Sequence, residues 1–176
     1  MCAGLRRRYC GRSGADLSVD PEGGGGMVFE VSLERMTLDD LDGVMTVEQT
    51  AFVTPWSRRA FVTELTENAY SYYLVAKLDG QVVGYGGMWL ILDEAHVTNI
   101  AVHSRHRGKG IGKRLMLELM AAAKAHGCRR MTLEVRRSNL PAQSLYLKLG
   151  FEARGVRKGY YTDTREDAIV MWKDAL

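Results

Sequence analysis

Cysteine is scarce and odd in number: Cys2, Cys10 and Cys128 are the only three in 176 residues. None stands in a Cys-x-x-Cys pair, which argues against a disulfide framework and against a zinc site. A reducing cytoplasm is the expected home. No run of about 18 apolar residues occurs, so nothing reads as a bilayer-spanning helix and no membrane partner is expected. Strong charge of either sign is also missing, with 24 Lys and Arg against 21 Asp and Glu, a net +3. A domain that binds nucleic acid directly should show a strongly basic face, so direct nucleic-acid binding is not expected. The four histidines, His96, His103, His106 and His126, never form the H-E-x-x-H pair of a metalloenzyme helix. No metal is expected.

What is present is ordinary soluble-domain composition, 46% hydrophobic and 26% charged, at a length that suits one domain with a real core. Residues 1 to 26 stand apart. They are rich in Gly and Arg, lack a periodic apolar pattern and end in Pro21-Glu22-Gly23-Gly24-Gly25-Gly26. Arg6-Arg7-Arg8 is not followed by the apolar stretch of a targeting signal. This segment reads as a disordered extension or a misassigned start before Met27, and residues 27–176 as the folded domain.

Within that domain Phe29 to Met36 alternates as a strand, with Phe29, Val31 and Leu33 on one side. Thr37 precedes an acid-rich helix start at Asp39-Asp40, running to about Ala51. After Pro55-Trp56, Ser57 caps a second helix through about Glu67. Tyr72 to Leu78 and Gln81 to Trp89 are strands joined by Asp79-Gly80, a preferred type I′ hairpin turn. A strand over about Ala95 to Val102 leads through a glycine-rich turn into a helix over about Lys109 to Ala125. Its buried stripe is Ile111, Leu115, Leu119 and Ala122. Arg130 to Val135 is a strand and Pro141 to Leu149 a short helix. Strands over about Phe151 to Arg157 and Ala168 to Lys173 close the domain. The order is β-α-α-β-β-β-α-β-α-β-β, and its strand-helix-strand unit predicts a right-handed crossover between parallel strands.

The turn Arg107-Gly108-Lys109-Gly110-Ile111-Gly112 combines three properties. Glycines let the backbone approach a ligand. A helix N-terminus offers unpaired N–H groups and a positive dipole end. Arg105, Arg107, Lys109, Lys113 and Arg114 add cationic charge. Together they suit a phosphate or pyrophosphate, although a glycine-rich turn with a solvated basic helix end has the same composition. A Walker A loop is one residue too long to match and needs Ser or Thr where Arg114 stands. A dinucleotide fingerprint needs G-x-G-x-x-G, whereas Gly108, Gly110 and Gly112 are evenly spaced.

Downstream, Met131, Leu133 and Val135 alternate onto one face, turning Thr132 and Glu134 to the other. Glu134 alone fits a solvated strand face or an ion pair with Arg136 or another neighbour. It also fits a general base. A base that removes a proton supplies roughly 10²- to 10⁴-fold. Tyr146 fits either core packing beside Leu145 and Leu149 or a weak acid beside a departing thiolate. Cys128 follows a helix C-terminus, where nothing lowers its pKa, so an inert thiol is expected and no acyl-enzyme. Tyr160 and Tyr161 fit the wall of a peptide slot or the cover of a core edge.

The turn resembles the R-x-x-G-x-G segment of the GNAT acetyltransferase superfamily, matched by Arg107, Gly110 and Gly112. Within it the chain resembles the RimI-type ribosomal-protein N-terminal alanine acetyltransferases. The resemblance rests on Leu92-Asp93-Glu94-Ala95, Asn99-Ile100-Ala101-Val102, Leu133-Glu134-Val135-Arg136, Ser138-Asn139, Leu145-Tyr146, Gly150-Phe151, Tyr160-Tyr161 and Arg165-Glu166-Asp167-Ala168, with Pro55-Trp56-Ser57 on the substrate side. It covers essentially Met27 to Leu176. It implies the GNAT fold: α/β, a mixed central sheet of about seven strands, antiparallel in its N-terminal part with a parallel pair at the cofactor cleft, flanked by about four helices.

It further implies acetyl-CoA as co-substrate. Ile100, Ala101 and Val102 would hold the pantetheine arm, and Arg107, Gly108, Lys109, Gly110, Ile111, Gly112 and Lys113 the pyrophosphate. Asn139 would lie at the cofactor's other side. Glu134 would be the general base and Tyr146 the general acid. The implied acceptor is a protein N-terminus, that of small-subunit ribosomal protein eighteen. Gly108, where a longer residue is common, and Pro141, where small residues are common, depart from the family pattern without removing a functional group. Another protein N-terminus or a small amine is the alternative acceptor. From a different class, a non-catalytic RNA-binding module using Arg105 to Arg114 would leave Glu134 and Tyr146 without a purpose.

Overall fold

The structure, a computed structural model, describes residues 30–176. The readings of residues 1 to 26 and of Phe29 lie outside the described residues. The elements are β1 (Val31–Arg35), α1 (Leu41–Ala51), α2 (Arg58–Thr66), β2 (Ser71–Leu78), β3 (Gln81–Ile91), β4 (Glu94–Val102), α3 (Ile111–Ala125), β5 (Arg130–Arg136), α4 (Leu140–Lys148), β6 (Glu152–Tyr161) and β7 (Glu166–Lys173). They follow the order read from the sequence. Local chemistry explains several boundaries. Ser57 accepts a hydrogen bond from the Ala60 N–H at 3.2 Å and caps α2, which is worth about 1 kcal/mol. Asp79 and Gly80 have φ of 51° and 77°, as a type I′ turn requires.

The seven strands form one sheet in the order β1-β2-β3-β4-β5-β7-β6. β1 to β4 pair antiparallel, β4 and β5 run parallel, and β7 enters antiparallel between β5 and β6. The β4–α3–β5 crossover supplies the parallel pair that the sequence order demands. On one face α3 buries Ile111, Leu115, Met116, Leu119, Ala122 and Ala123 against Met131, Leu133 and Val135 of β5 and residues of β2 and β3. Each large apolar side chain contributes roughly 1.5–3 kcal/mol. On the other face α1 and α2 cover Tyr73, Val75 and Tyr85 with Leu41, Val44, Val47 and Phe61. Among the described residues no helix is long and apolar enough to cross a membrane.

β4 and β5 pair only from Glu94↔Arg130 to Val97↔Leu133. Beyond that point both strands continue, β4 to Val102 and β5 to Arg136, without bonding each other. On the opposite edge of β4, Met88 pairs with Val97 and Gly87 with Asn99. Thr98 is therefore an extra residue, and a β-bulge of this kind bends its strand. The bulge sits where the two strands part. Tyr73 holds it: its hydroxyl lies 2.9 Å from Thr98 Oγ1, and its ring fills the space over Gly87, where a Cβ would stand 2.0 Å from Tyr73 Cε1.

Of the boundaries that differ from the sequence reading, three have a clear local cause or bear on the cleft. α3 begins at Ile111, two residues later than expected, because Gly110 takes a left-handed conformation (φ 78°, ψ −2°) that no helix continues through. α4 begins at Leu140, one residue early, because Asn139 Oδ1 accepts from the Ala142 N–H. β6 runs on to Tyr161 rather than ending near Arg157. Its ladder to β7 breaks between Arg157 and Tyr161 and then resumes at Tyr161↔Glu166.

Candidate active site

The parting of β4 and β5 leaves a cleft with two adjoining hollows. The larger, about 640 Å³, lies between the end of β4, the glycine turn and α4, and is lined by residues including Ile100, Ala101, Val102, Arg107, Gly108, Gly110, Ile111, Gly112, Lys113 and Tyr146. The smaller, about 310 Å³, lies between the parted strands, with Phe52, Trp56, Glu134, Asn139, Tyr146 and Tyr161 in its wall. Ile100 and Tyr146 border both. A third recess of about 200 Å³ extends the smaller hollow past Trp56 and Tyr160 to Glu48 and Asp163.

The larger hollow has features that suit a diphosphate. Space above the turn is open, since nothing lies within 4 Å of where a Cβ would stand at Gly108 or Gly110. The first α-helical bond of α3 runs from the Arg114 N–H to the Gly110 carbonyl at 3.0 Å, so the N–H groups of Ile111, Gly112 and Lys113 have no partner inside the helix. They point outward at the positive end of the dipole. Along the same wall, Thr98 to Val102 offers an unpaired strand edge that can receive a peptide-like arm by strand addition. The residues present fit the adenosine-side pyrophosphate and pantetheine of coenzyme A.

Three predicted contributors stand differently from the rest. Arg107 turns inward: its Nε donates to the Val102 carbonyl at 3.1 Å and Nη2 to the Thr50 carbonyl at 3.5 Å. Its guanidinium ties the turn to β4 and α1. Asn139 lines the smaller hollow while its side chain caps α4. Lys109 lies on the turn outside the wall of the hollow. His106, read from the sequence only as part of a solvated turn, lines the larger hollow and has a buried Nδ1 without a hydrogen-bond partner. Burial, with help from Lys109, His103 and Arg105, lowers its pKa.

In the smaller hollow Glu134 extends from β5 with a side chain 20% exposed, and its Oε1 lies 3.1 Å from Arg157 Nη1. The partner is thus Arg157, 23 positions away in sequence, and not Arg136. Arg136 is engaged elsewhere, with Asp163 Oδ2 at 2.6 Å, Thr164 Oγ1 at 2.7 Å and its guanidinium 3.9 Å above the Tyr161 ring. Tyr146 is buried in the main core, its ring 6.0 Å from that of Phe151, yet it reaches the cleft. Core packing and a place in the site are both true of it. Burial and then Tyr161 push its phenol pKa up, so it keeps its proton across the working pH range. Burial also pushes Tyr161 up to about 12.

Beneath this hollow is a buried group that the sequence reading passed over. Glu48 of α1 is 1% exposed. It accepts the Trp56 N–H at 2.8 Å and the Tyr85 hydroxyl, which pins the Pro55–Trp56 loop against the sheet. Burial raises its pKa above the usual carboxylate value. Its acidic residue in an otherwise apolar helix face was the only signal in the sequence. Cys128 is buried and its thiol pKa raised by that burial, which gives it no nucleophilic character.

A family model described as the acetyltransferase (GNAT) family matches residues 41–151, the span from α1 to just past α4. The chain belongs to the GNAT acetyltransferase family. Curated relatives agree. The Escherichia coli ribosomal protein bS18-alanine N-acetyltransferase is 34% identical over 142 residues, covering 80% of this chain and 95% of that protein. A Bacillus subtilis protein that carries the same name provisionally is 43% identical over 146 residues, covering 83% and 97%. The crystal structure of the E. coli ribosomal-protein-S18-alanine N-acetyltransferase superposes with a TM-score of 0.76 at 31% identity, covering 84% of this chain and 96% of that one. The seven-stranded sheet, its parallel pair and the four helices are those of a GNAT fold, and GNAT enzymes use acetyl-CoA.

Proposed function

We propose that this acetyltransferase moves the acetyl group of acetyl-CoA to the α-amino group of an N-terminal alanine, that of small-subunit ribosomal protein eighteen, in the cytoplasm. The observation that carries the reading is the meeting of Glu134 and Tyr146 in one hollow that adjoins the diphosphate-binding one. The names of the relatives support the acceptor.

Acetyl-CoA supplies the activated thioester. Ile100, Ala101 and Val102 hold its pantetheine arm along the free edge of β4. Gly108, Gly110, Ile111, Gly112 and Lys113 surround the pyrophosphate, with Lys109 adding charge from the turn and Arg107 fixing the turn's shape. Glu134 takes the proton of the acceptor ammonium, directly or through water, and frees the amine to attack. Tyr146, protonated because it is buried, donates to the sulfur as negative charge develops there. Asn139 sets the start of α4 and so the position of Tyr146. No metal is invoked. Residues 27–176 constitute the catalytic domain.

Mass spectrometry of a panel incubated with acetyl-CoA tests this: peptides beginning with Ala, Ser or Met, and polyamines. Acetylation confined to the Ala-initiated N-terminus is expected. Activity on polyamines with none on Ala-initiated peptides would overturn it.

A further inference from the structure

The two arginines beside the acceptor hollow are held unequally. Arg136 is fixed by Asp163, by Thr164, by Glu166 at 3.6 Å and by the Tyr161 ring. Arg157 is 58% exposed and has the Glu134 carboxylate at 3.1 Å; its other neighbour is the Tyr160 ring, whose centroid is 5.6 Å from the guanidinium. The backbone around Arg157 is nonetheless anchored. Where the β6–β7 ladder breaks, Asp167 accepts the Gly159 N–H at 3.0 Å and pairs with Lys158 at 3.0 Å. A fixed backbone thus presents an exposed, lightly held cation to the one carboxylate that the proposed reaction needs.

We infer that Arg157 occupies the acceptor's ammonium position in the free enzyme, and that the incoming α-ammonium displaces it from Glu134. The inference rests on the proposed roles of Glu134 and of an amine acceptor. Exchange costs little, because an ion pair this exposed is weak. The displaced guanidinium keeps a partner, because the Tyr160 ring already lies 5.6 Å away and attracts a cation. After transfer the acceptor is a neutral amide that cannot hold Glu134, so Arg157 returns unopposed and product leaves. Arg157 therefore limits how tightly acceptor and product bind, without touching the thioester.

Steady-state kinetics of Arg157→Ala and Arg157→Lys against the wild type test this, with thermal melting to show that each variant folds. Removing the competing cation should lower the acceptor KM by up to about fivefold, the scale of an exposed ion pair. It should strengthen inhibition by the acetylated peptide and leave the acetyl-CoA KM unchanged. Arg157→Lys should stay near wild type. Millimolar guanidinium should raise the acceptor KM of Arg157→Ala and barely affect the wild type. A higher acceptor KM in Arg157→Ala, or a lower kcat at unchanged KM, would instead make Arg157 a support for the base and overturn the inference. A wild type that acetylates no peptide N-terminus would sink the functional reading, and this inference with it; an active wild type with an unshifted Arg157→Ala would sink the inference alone.

Discussion

The two hollows of the cleft are made by opposite means. The larger is made of backbone: a free strand edge, helix N–H groups and glycines that leave room above them. The smaller is made of side chains: Glu134 with Arg157, Arg136 with its acidic partners, and the aromatic group of Phe52, Trp56, Tyr146, Tyr160 and Tyr161. On the proposed function, a backbone site recognises what every coenzyme A molecule shares and tolerates side-chain change except where a glycine is required. A side-chain site can be retuned residue by residue. One cofactor with many acceptors is what that division permits.

Four substitutions would break or sharpen this contrast. Glu134→Gln should reduce kcat by about 10²-fold or more while acetyl-CoA affinity by calorimetry stays within error; equal loss of both would mean a structural role. Tyr146→Phe should lower kcat by about 10²-fold, with the loss seen in thiol release monitored by a thiol reagent. Full activity across pH would remove it from the mechanism. Gly110→Val puts a β-branched side chain at φ 78°, a strain of roughly 1–2 kcal/mol, so the acetyl-CoA KM should rise about tenfold while the acceptor KM moves little. An unchanged acetyl-CoA KM would deny that backbone shape makes the larger hollow.

The smallest effect concerns Glu48. Its carboxyl pKa is raised in the folded protein, so between its ordinary value of 4.5 and its folded value the native state binds more protons than the unfolded one. Stability therefore falls as pH rises through that window. Gln can still accept the Trp56 N–H, so Glu48→Gln should flatten the fall and melt at or above the wild-type temperature at pH 7. A pH profile identical to the wild type's would show that Glu48 is not its source.

Periodicity made most of the fold legible. β-Rich composition marked Gln81 to Trp89, alternation marked Arg130 to Val135, helical spacing marked Ile111 to Ala122, and Asp79-Gly80 announced its own turn. These are local properties. The start of α3 was misread because glycine composition does not say which glycine is left-handed. Of the site, the glycine turn and the Leu133-Glu134-Val135-Arg136 strand were visible as motifs. The Glu134–Arg157 pair, the Glu48–Trp56 tie and the inward turn of Arg107 were not, because each joins residues that only the folded sheet brings together. Thr98 is the clearest case: nothing in Val97-Thr98-Asn99 distinguishes a bulged residue from a paired one.

That one surplus residue stands where the cleft between β4 and β5 opens. Deleting Thr98 would let β4 resume pairing with β5 in step, and the two strands would zip shut to their ends. The same deletion would leave the faces of the residues that follow it unchanged against β3, because Asn99 would still stand opposite Gly87 and Ala101 opposite Tyr85. The expected outcome is a more regular protein with a narrower cleft: the opening between these strands goes with a miscount between their neighbours.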